Sequence, residues 1–354
     1  MVASSIFPQS PLPIVKATAL AAIRLSRPDV GKARAFFENL GLACPGSAKD
    51  IATLSGCLEL EPSVIIQRGP RAYLGLDVYV DTPAELEALS ARMQTSIVDC
   101  EIRKRAMVEL VDPDGIAIGV LVRPAEDVQC PIEERAATNR PGRSERINEG
   151  RRADAGQETV YRLGHTVLAT RNLLRAVHWY RETLGMLVSD CQLLDNDPVP
   201  VVAFMRFDRG DTPTDHHSIA LGSAIGHGHM HTAFEMLDME SVARAQHWLV
   251  GSGYRHAWGM GRHVLGSQIF DYWCDPWGDQ FELYADGDVF DASVATGTHA
   301  FNAGAQHQWG PPMTAAMQGG SPIALAKDIV NGLITEHDLS PSRLLKLFRA
   351  TRTR

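Results

Sequence analysis

The stretch "GHTVLATRNLLRAVHWYRETLGMLV", residues 164–188, has a counterpart in "AAIRLSRPDVGKARAFFENLGLA", residues 21–43. Each reads as a short strand, a turn, an amphipathic helix and a glycine. The glycine that follows Leu40 or Leu184 is typical of the left-handed residue that ends a helix. The apolar residues of the two helices recur at helical spacing, and they are Ala33, Phe36, Phe37 and Leu40 in one copy and Ala176, Val177, Tyr180 and Leu184 in the other.

Two further pairs of similar segments extend the repeat. Residues 74–93 match 231–250, and each predicts an alternating strand followed by a helix with an acidic start. Residues 108–122 match 270–286, and each predicts a hairpin around an Asp-Pro-x-Gly turn. Because internal repetition sets the architecture, the sequence predicts an α+β fold built from paired βαβββ modules, two in each half of the chain.

The repeat divides the chain into four parts. A charged stretch with almost no apolar periodicity separates the halves and is typical of a linker. The predicted parts are an N-terminal module pair at 17–123, a linker at 124–160, a C-terminal module pair at 161–287 and an extension at 288–354.

The extension falls outside the repeat. Residues 299–313 are rich in Gly and Pro and predict an extended segment. Residues 321–338 predict a helix, and residues 340–354 predict a short basic helix.

Composition restricts the function. The formal net charge of the 354 residues is −8, which argues against a nucleic-acid binder. The chain has no run of 18 apolar residues, and prolines and Lys16 interrupt its N-terminus, so neither a membrane span nor a signal peptide is expected. Six scattered cysteines without a CxxC pair favour reduced thiols and a cytoplasmic location.

Three polar residues distinguish the second half from the first. His165 opens one strand, His231 opens another, and Glu282 lies on the last hairpin strand. Two neutral imidazoles and one carboxylate on one face, with other positions open, suit a non-haem Fe(II) site, and Mn(II) accepts the same ligands. The residues read as their counterparts in the first half are Ala21, Leu74 and Gly119. The sequence therefore predicts a metal site in the second half alone.

The stretch "HGHMHTAFEM", residues 227–236, contains three histidines, of which one is expected to bind the metal. Strand alternation puts His231 on the same face as Ala233 and Glu235. His229 lies two residues earlier, which predicts the same face and makes it the rival ligand. His227 is expected in a loop.

The second half resembles the type I extradiol ring-cleaving dioxygenases of the vicinal oxygen chelate superfamily. The resemblance extends over residues 17–287 in outline and is sharp over 162–286. It rests on Gly164-His165-Thr166, on "HTAFE" at 231–235 and on "GRHVLGSQIFDYWCDPWGDQFELY" at 261–284, where Tyr272 lies nine positions after His263 and Glu282 ten positions after Tyr272. It implies a metal site of His165, His231 and Glu282.

The resemblance also implies three catalytic residues. In "TDHHSIAL", residues 214–221, the family pattern favours His217 over His216, which is then expected to point away. His217 would take a proton from the substrate and later return it, as an imidazole can near neutral pH. His263 would hydrogen-bond the bound oxygens, and Tyr272 would donate to a substrate oxygen. Trp258, Trp273 and Phe270 are expected either to surround the site with aromatic rings or to belong to the apolar core.

The implied activity is cleavage of an aromatic ring next to its two hydroxyls. The partners would be a small aromatic diol and O2, without nucleic acid or membrane, and the chain would be a homo-oligomer. Three alternatives stay open: a glyoxalase-like isomerase or transferase, an enzyme that cleaves hydroquinones, and a non-catalytic binder. A module pair without ligands and the presence of Tyr272 disfavour the first, and a complete ligand triad disfavours the last.

Overall fold

The strands of this protein form two mixed sheets, one from each half of the chain. The structure is a computed structural model that describes residues 6–8, 11–125, 130–132, 137–150, 156–195, 197–302, 304, 306–314 and 338–350. The two sheets with their helices form two domains of α+β type, which confirms the predicted fold class.

The first half contains eight strands and two helices. In chain order these are β1 (Ala19–Arg27), α1 (Val30–Leu40), β2 (Ala43–Ala48), β3 (Ile51–Ser55), β4 (Val64–Arg68), β5 (Ala72–Val80), α2 (Pro83–Met93), β6 (Ile97–Cys100), β7 (Arg105–Val111) and β8 (Ala117–Val122). The sheet order is β2-β3-β4-β1-β5-β8-β7-β6. Two βαβββ modules therefore join edge to edge where β1 pairs antiparallel with β5.

The second half repeats this arrangement. Its elements are β9 (Arg162–Thr170), α3 (Leu173–Leu184), β10 (Leu187–Leu193), β11 (Pro200–Arg206), β12 (Thr214–Asp215), β13 (Ile219–Ser223), β14 (Gly228–Glu235), α4 (Met239–Gly251), β15 (Arg255–His263), β16 (Ile269–Cys274) and β17 (Gln280–Ala285). The two modules meet where β9 pairs antiparallel with β14.

The C-terminal extension adds to the second half. It contributes β18 (Val289–Phe290), β19 (Gly297–Ala300), β20 (His307–Trp309) and α5 (Pro341–Ala350). The second sheet has the order β19-β10-β11-β13-β9-β14-β17-β16-β15-β20, while β12 and β18 form a separate ribbon. Helix α5 confirms the helix predicted after residue 340. The helix predicted at 321–338 lies outside the described residues, except for its last residue.

The repeated helices begin and end as their sequences predict. The side chain of Asp29 accepts a hydrogen bond from the backbone of the first turn of α1, and Asn172 does the same for α3. Gly41 and Gly185 follow the two helices with φ of 114° and 69°, a region that glycine adopts without strain. The predicted apolar residues of both helices are buried.

The two Asp-Pro-x-Gly segments are hairpin turns. Asp112 accepts hydrogen bonds from the backbone N–H groups of Asp114 and Ile116. Asp275 accepts the same pair from Trp277 and Asp279. These bonds explain why an aspartate begins each turn, between β7 and β8 in one half and β16 and β17 in the other.

Two apolar cores each contain residues from both halves of the chain. Helix α1 and the strands beside it share one core with α4, β14, β16 and β17. In that core the ring of Phe281 lies 4.8 Å from Phe37 and 5.6 Å from Phe36. The second core joins α2, β5 and β8 to α3 and its strands. The two halves therefore share two apolar cores.

The described parts of residues 124–160 contain no helix and no strand, apart from one bridge between Arg140 and Arg143. Their last residues are held in place, because Val160 is fully buried and exchanges backbone hydrogen bonds with Gly41 and Cys57. All six cysteines are free thiols. No helix in the described part of the chain is both long enough and apolar enough to cross a bilayer.

Candidate metal centre

Three neighbouring strands bring His165, His231 and Glu282 together. Strand β14 lies between β9 and β17, and its Ala233 is opposite His165 on one side and Glu282 on the other. His231 lies two residues before Ala233 and therefore points to the same face. One ligand atom from each of the three residues lies within 4.8 Å of the others.

Short contacts connect the three side chains. Oε2 of Glu282 is 3.1 Å from Nε2 of His165 and 3.3 Å from Nε2 of His231. His165 and Glu282 are buried, and the His231 side chain is 12% exposed. The site is therefore almost fully removed from water, with its remaining access beside His231.

The surroundings shift the pKa values of His231 and Glu282 and so favour one charge state of each. Burial, followed by the charge of the neighbouring His165, lowers the pKa of His231 against the opposing effect of Glu282, which favours a neutral imidazole. Burial alone would raise the pKa of Glu282, but His165 and the hydrogen bonds from the histidines hold it well below its usual range. A neutral imidazole and an ionised carboxylate are the forms that bind a metal.

The residues fit a divalent transition metal. Oε1 of Glu282 is buried and has no hydrogen-bond partner among the described residues. Nε2 of His263 lies 3.7 Å from it, which is beyond hydrogen-bond distance. A buried carboxylate oxygen without a partner is costly unless a cation binds there. Two imidazoles and one carboxylate are the donor set of non-haem Fe(II) sites.

Gln268 lies behind the first of these ligands. Its side-chain amide nitrogen is 3.4 Å from Nδ1 of His165, and its Oε1 is buried without a hydrogen-bond partner among the described residues. Nδ1 of a histidine that binds metal through Nε2 carries a proton, and the amide oxygen is the group that would accept it. Gln268 lies within the stretch 261–284, but its residue type alone predicted no role for it.

His229 is not part of the metal site. It pairs with Leu168 while His231 pairs with Val167, so β14 has a bulge between the two histidines. The bulge turns His229 to the opposite face, where its Nε2 is 2.8 Å from the hydroxyl of Thr232 and its ring stacks on Tyr73 at 4.6 Å. The prediction that it shares the face of His231 is wrong. Burial lowers the pKa of His229 to about 3.

The counterparts of the ligands in the first half are also corrected. Ala22 and Gly119 both lie opposite Asp77, as His165 and Glu282 lie opposite Ala233. The structural counterparts are therefore Ala22, Gly75 and Gly119. The predicted Ala21 and Leu74 are each one residue away from the structural counterpart. Apolar residues on both sides of each position gave the alignment of the two halves no fixed register.

In the first half, charged side chains occupy the place that corresponds to the metal site. Asp77 pairs with Arg24 at 3.1 Å and lies 3.5 Å from Arg103. A Cβ atom on Gly119 would lie 2.3 Å from Oδ1 of Asp77, and one on Gly75 would lie 2.1 Å from a backbone oxygen. A side chain at position 75 would collide with the backbone and one at position 119 with buried Asp77, so neither position accommodates a metal ligand.

His263 and Tyr272 form a pair beside the triad. Nδ1 of His263 donates to the backbone oxygen of Gln306 at 2.9 Å, which leaves Nε2 to accept from the hydroxyl of Tyr272 at 3.0 Å. The ring of Tyr272 lies 5.1 Å from that of His231. Burial, with the charge of Glu282, raises the pKa of Tyr272 well above its usual range, so the hydroxyl stays protonated.

Aromatic residues surround this pair on one side. Phe270 stacks on His263 at 4.1 Å and lies 4.2 Å from Trp258. Trp273 faces away and belongs to the core beneath the sheet. The extension packs alongside, because Gln308 donates to the backbone of His263 and β20 pairs with β15.

His217 lies against the triad from another strand connection. It is buried, and its ring is 4.3 Å from that of His165. Burial, followed by the nearby His165 and His216, lowers the pKa of His217 well below its usual value. His216 does not point into the site, but it is buried too, and its Nδ1 lies 3.0 Å from Nδ1 of His217. The structure thus brings His217, His263 and Tyr272 around the triad.

A separate cleft of about 420 Å³ lies between the halves. Its lining includes Glu61, Arg123, Arg162 and Asp215, but none of the three metal ligands. The chemistry of the site therefore does not belong to this cleft, although it reaches Gly164 and Ser218 near the site.

Comparison with known proteins agrees with this geometry. Residues 162–283 match the sequence model of the Glyoxalase/Bleomycin resistance protein/Dioxygenase superfamily. The chain is 30% identical over 302 residues to metapyrocatechase 2 of Cupriavidus necator, covering 81% of this chain and 87% of that protein.

Two solved structures share the fold. Homoprotocatechuate 2,3-dioxygenase of Arthrobacter globiformis superposes with a TM-score of 0.71 at 22% identity, over 89% of this chain and 94% of that one. The Mn(II)-bound glyoxalase of Novosphingobium aromaticivorans gives a TM-score of 0.68 at 20% identity, over 85% and 94%. With the sequence match to metapyrocatechase 2 and the His-His-Glu triad, the chain belongs to the extradiol ring-cleaving dioxygenases of this superfamily.

Proposed function

We propose that this extradiol dioxygenase opens the ring of a catechol next to its two hydroxyls, with O2 as the second substrate. The observation that carries the proposal is the buried triad of His165, His231 and Glu282 with His217, His263 and Tyr272 beside it. The homoprotocatechuate 2,3-dioxygenase of Brevibacterium fuscum has been captured with 3,4-dihydroxyphenylacetate, itself a catechol. We extend that substrate class, but no particular member of it, to this chain.

The triad would hold Fe(II), or Mn(II) through the same donors. When bound, the ion would supply Lewis-acid chemistry that lowers the pKa of the substrate diol, and it would activate O2. His165 and His231 contribute Nε2, and Glu282 contributes a carboxylate oxygen. The burial of the three side chains keeps bulk water from competing for these positions.

His217 would act as the base. Its low pKa leaves the imidazole neutral near pH 7, so that it can accept a proton from the substrate diol. Its position against His165 places it beside the metal ligands. The same side chain can return the proton to an oxygen later in the reaction.

His263 and Tyr272 would orient the substrate and stabilise charge on its oxygens. The hydrogen bond from His263 to Gln306 fixes which nitrogen of the ring faces Tyr272. The raised pKa of Tyr272 keeps its hydroxyl as a hydrogen-bond donor. A fixed donor aimed at developing negative charge is worth about 10²–10³ in rate at comparable sites.

The alternatives fit less well. A glyoxalase-like enzyme that draws ligands from two module pairs would need polar residues where this chain has Ala22, Gly75 and Gly119. A non-catalytic binder would not need a buried carboxylate oxygen that has no hydrogen-bond partner among the described residues, such as Oε1 of Glu282. Hydroquinones remain a test case for the substrate panel.

A cytoplasmic location and a homo-oligomer stay predictions, the second checked by light scattering on the purified chain.

The test is anaerobic reconstitution with Fe(II), followed by air and a panel of catechols and hydroquinones. We expect oxygen uptake and a yellow ring-fission product with at least one catechol. His231→Ala and Glu282→Ala should lose metal and activity together, whereas His227→Ala, an exposed histidine just before the same strand, should keep both. Tight metal binding by the unaltered protein without oxygen uptake on any diol would refute the proposal.

A further inference from the structure

A hydrogen-bonded chain leads from His217 to the surface. Nδ1 of His217 lies 3.0 Å from Nδ1 of His216, and Nε2 of His216 lies 2.6 Å from Oδ2 of Asp190. The other oxygen of Asp190 accepts from Nε2 of His299 at 2.8 Å. His216 and His217 are buried, while the side chain of His299 is 42% exposed. None of these partners of His217 is a metal ligand.

The carboxylate at the centre fixes the direction of the chain. Burial alone would raise the pKa of Asp190, but the hydrogen bonds from His216 and His299 lower it, so the group is ionised and can only accept. Nε2 of His216, 2.6 Å from this carboxylate, must then carry a proton, so that in a ring with a single proton Nδ1 is left as the acceptor. Nδ1 of His217 is therefore the donor between the two rings, which leaves Nε2 of His217 without a proton.

Packing and hydrogen bonds hold the ring of His216 in one orientation, and this orientation determines which of its nitrogens faces His217. Phe204 lies 5.5 Å from it and Phe290 lies 5.3 Å from it, each at a steep angle. The backbone N–H of His216 also donates to the backbone oxygen of Asp288 at 2.8 Å. A ring fixed by packing and by a short bond to a carboxylate has little freedom to reverse its tautomer.

We propose that His216 and Asp190 are positioning residues, which hold His217 in the Nδ1–H tautomer so that Nε2 can accept a proton from a bound substrate. His299 satisfies the second oxygen of Asp190 and keeps the carboxylate in place. The inference rests on the role proposed above for His217, and it gives a function to the first histidine of the His216-His217 pair.

The opposite arrangement defines what would contradict it. If His216 were a cation paired with Asp190, its Nδ1–H would donate to His217, whose Nε2 would then carry a proton and could not act as a base. This arrangement places a buried positive charge 3.0 Å from a second imidazole nitrogen. The two arrangements differ at three ring nitrogens, namely Nδ1 of His216 and both nitrogens of His217, and these can be observed directly.

The first experiment measures the tautomers without any reaction. Long-range ¹H–¹⁵N spectra of the metal-free, ¹⁵N-labelled full chain report whether each ring nitrogen carries a proton, and His217→Gln assigns the signals of His217. We expect an unprotonated Nε2 and a protonated Nδ1 in the unaltered protein. Asp190→Asn and His216→Phe should abolish or mix this state, and His178→Gln, at an exposed His–Glu pair, should not.

A protonated Nε2 of His217 in the unaltered protein would overturn the inference. So would an unchanged tautomer in both Asp190→Asn and His216→Phe, provided that each variant is folded by circular dichroism. His216→Phe retains an aromatic ring among Phe204 and Phe290, which limits its effect on packing.

The second experiment connects the tautomer to turnover. Asp190→Asn and His216→Phe should lower kcat by about 10- to 100-fold, which is at or below the lower end of the roughly 10²–10⁴-fold attributed to a general base, because His217 itself is retained. KM and metal content should change little. Asp190→Glu should recover part of the loss, because it restores a carboxylate. If the unaltered enzyme turns over a catechol and both variants keep its kcat, the inference fails while the proposed function stands. If no diol is consumed, the proposed function fails and the spectra still decide the tautomer.

Discussion

The side chains of His231 and Glu282 are each held in the form that a metal ion requires. Burial lowers the pKa of one, and the neighbouring histidines lower the pKa of the other against the opposing effect of burial. Neither group has to change its net charge near neutral pH before a cation binds. Gln268 lies behind His165, with its amide nitrogen 3.4 Å from Nδ1 and its Oε1 buried without a hydrogen-bond partner among the described residues.

Gln268→Ala should weaken metal binding. Loss of a hydrogen-bonding group behind a ligand costs about 10–100-fold in metal affinity at comparable sites. Competition titration with a chromogenic chelator, using Mn(II) under air, measures the dissociation constant. Gln246→Ala is the matched control, since that amide bonds Asp271 instead of a ligand. Equal affinities in both variants would show that Gln268 does not orient His165.

At the scale of elements, a bulge and a glycine decide which side chains reach the metal. The bulge in β14 separates His229 from His231. Gly164 precedes the first ligand on β9, and a Cβ atom there would lie 2.1 Å from the hydroxyl of Tyr284 and 2.4 Å from its ring. Tyr284 is buried, and its ring lies 5.4 Å from that of His165. The strand can carry His165 past this ring only because residue 164 has no side chain.

Gly164→Ala should therefore lower both stability and metal affinity. Overpacking of this kind costs about 1–3 kcal/mol, because the buried ring of Tyr284 has no room to move aside. The free energy of unfolding from urea titration gives the first effect, and chelator competition gives the second. Gly222→Ala on the neighbouring strand β13 is the control, since its Cβ would meet only the Sδ atom of Met230 at 3.5 Å. A Gly164→Ala protein as stable as this control would contradict the packing argument.

At the scale of the whole molecule, one buried arginine joins the two halves beside the hairpin that carries Glu282. Arg27, at the end of β1, is 0% exposed and bonds Asp275 at 2.8 Å and Asp279 at 2.7 Å. Arg71 also bonds Asp279, at 2.6 Å, but its side chain is 50% exposed. The two arginines hold the same turn in very different surroundings.

Arg27→Leu should destabilise the protein far more than Arg71→Leu. Removal of one partner of a buried pair leaves a buried charge and costs about 3–5 kcal/mol. Removal of a half-exposed partner costs about 0–1 kcal/mol. Chemical denaturation of both variants gives the two free energies of unfolding. Equal losses would mean that the burial of Arg27 does not matter.

The same cluster gives a pH dependence. Burial alone would raise the pKa of Asp279, but Arg71 and Arg27 hold it below its usual value. A carboxyl whose pKa is depressed by folding stabilises the protein above its unfolded pKa of about 3.9, and this contribution is lost as the pH falls through the folded value. Asp279→Asn should thus be less stable than the unaltered protein at pH 7, with the difference shrinking below about pH 4.

Stability curves of both proteins between pH 3 and pH 7 measure this difference. Asp50→Asn, at a pair whose aspartate side chain is 63% exposed, should show almost no difference at any pH. A gap between Asp279→Asn and the unaltered protein that stays constant to pH 3 would contradict the assignment.

The sequence by itself determined the repeat and therefore the fold. Helix periodicity, the glycines at 41 and 185 and the two Asp-Pro-x-Gly turns are local signals, because capping and turn formation involve residues only a few positions apart. The difference between the halves also identified His165, His231 and Glu282, since residue type and strand alternation are visible without coordinates.

Tertiary structure alone decided what depends on strand pairing and distant contacts. Strand alternation misplaced His229, because a bulge changes the face of a strand without a sequence mark. The counterparts Ala22 and Gly75 needed the pairing with β5 and β8. Asp190, Gln268 and the backbone of Gln306 reach the site from segments far apart in the chain, and only the folded chain brings hydrogen-bonding groups from such distances to 2.6–3.4 Å.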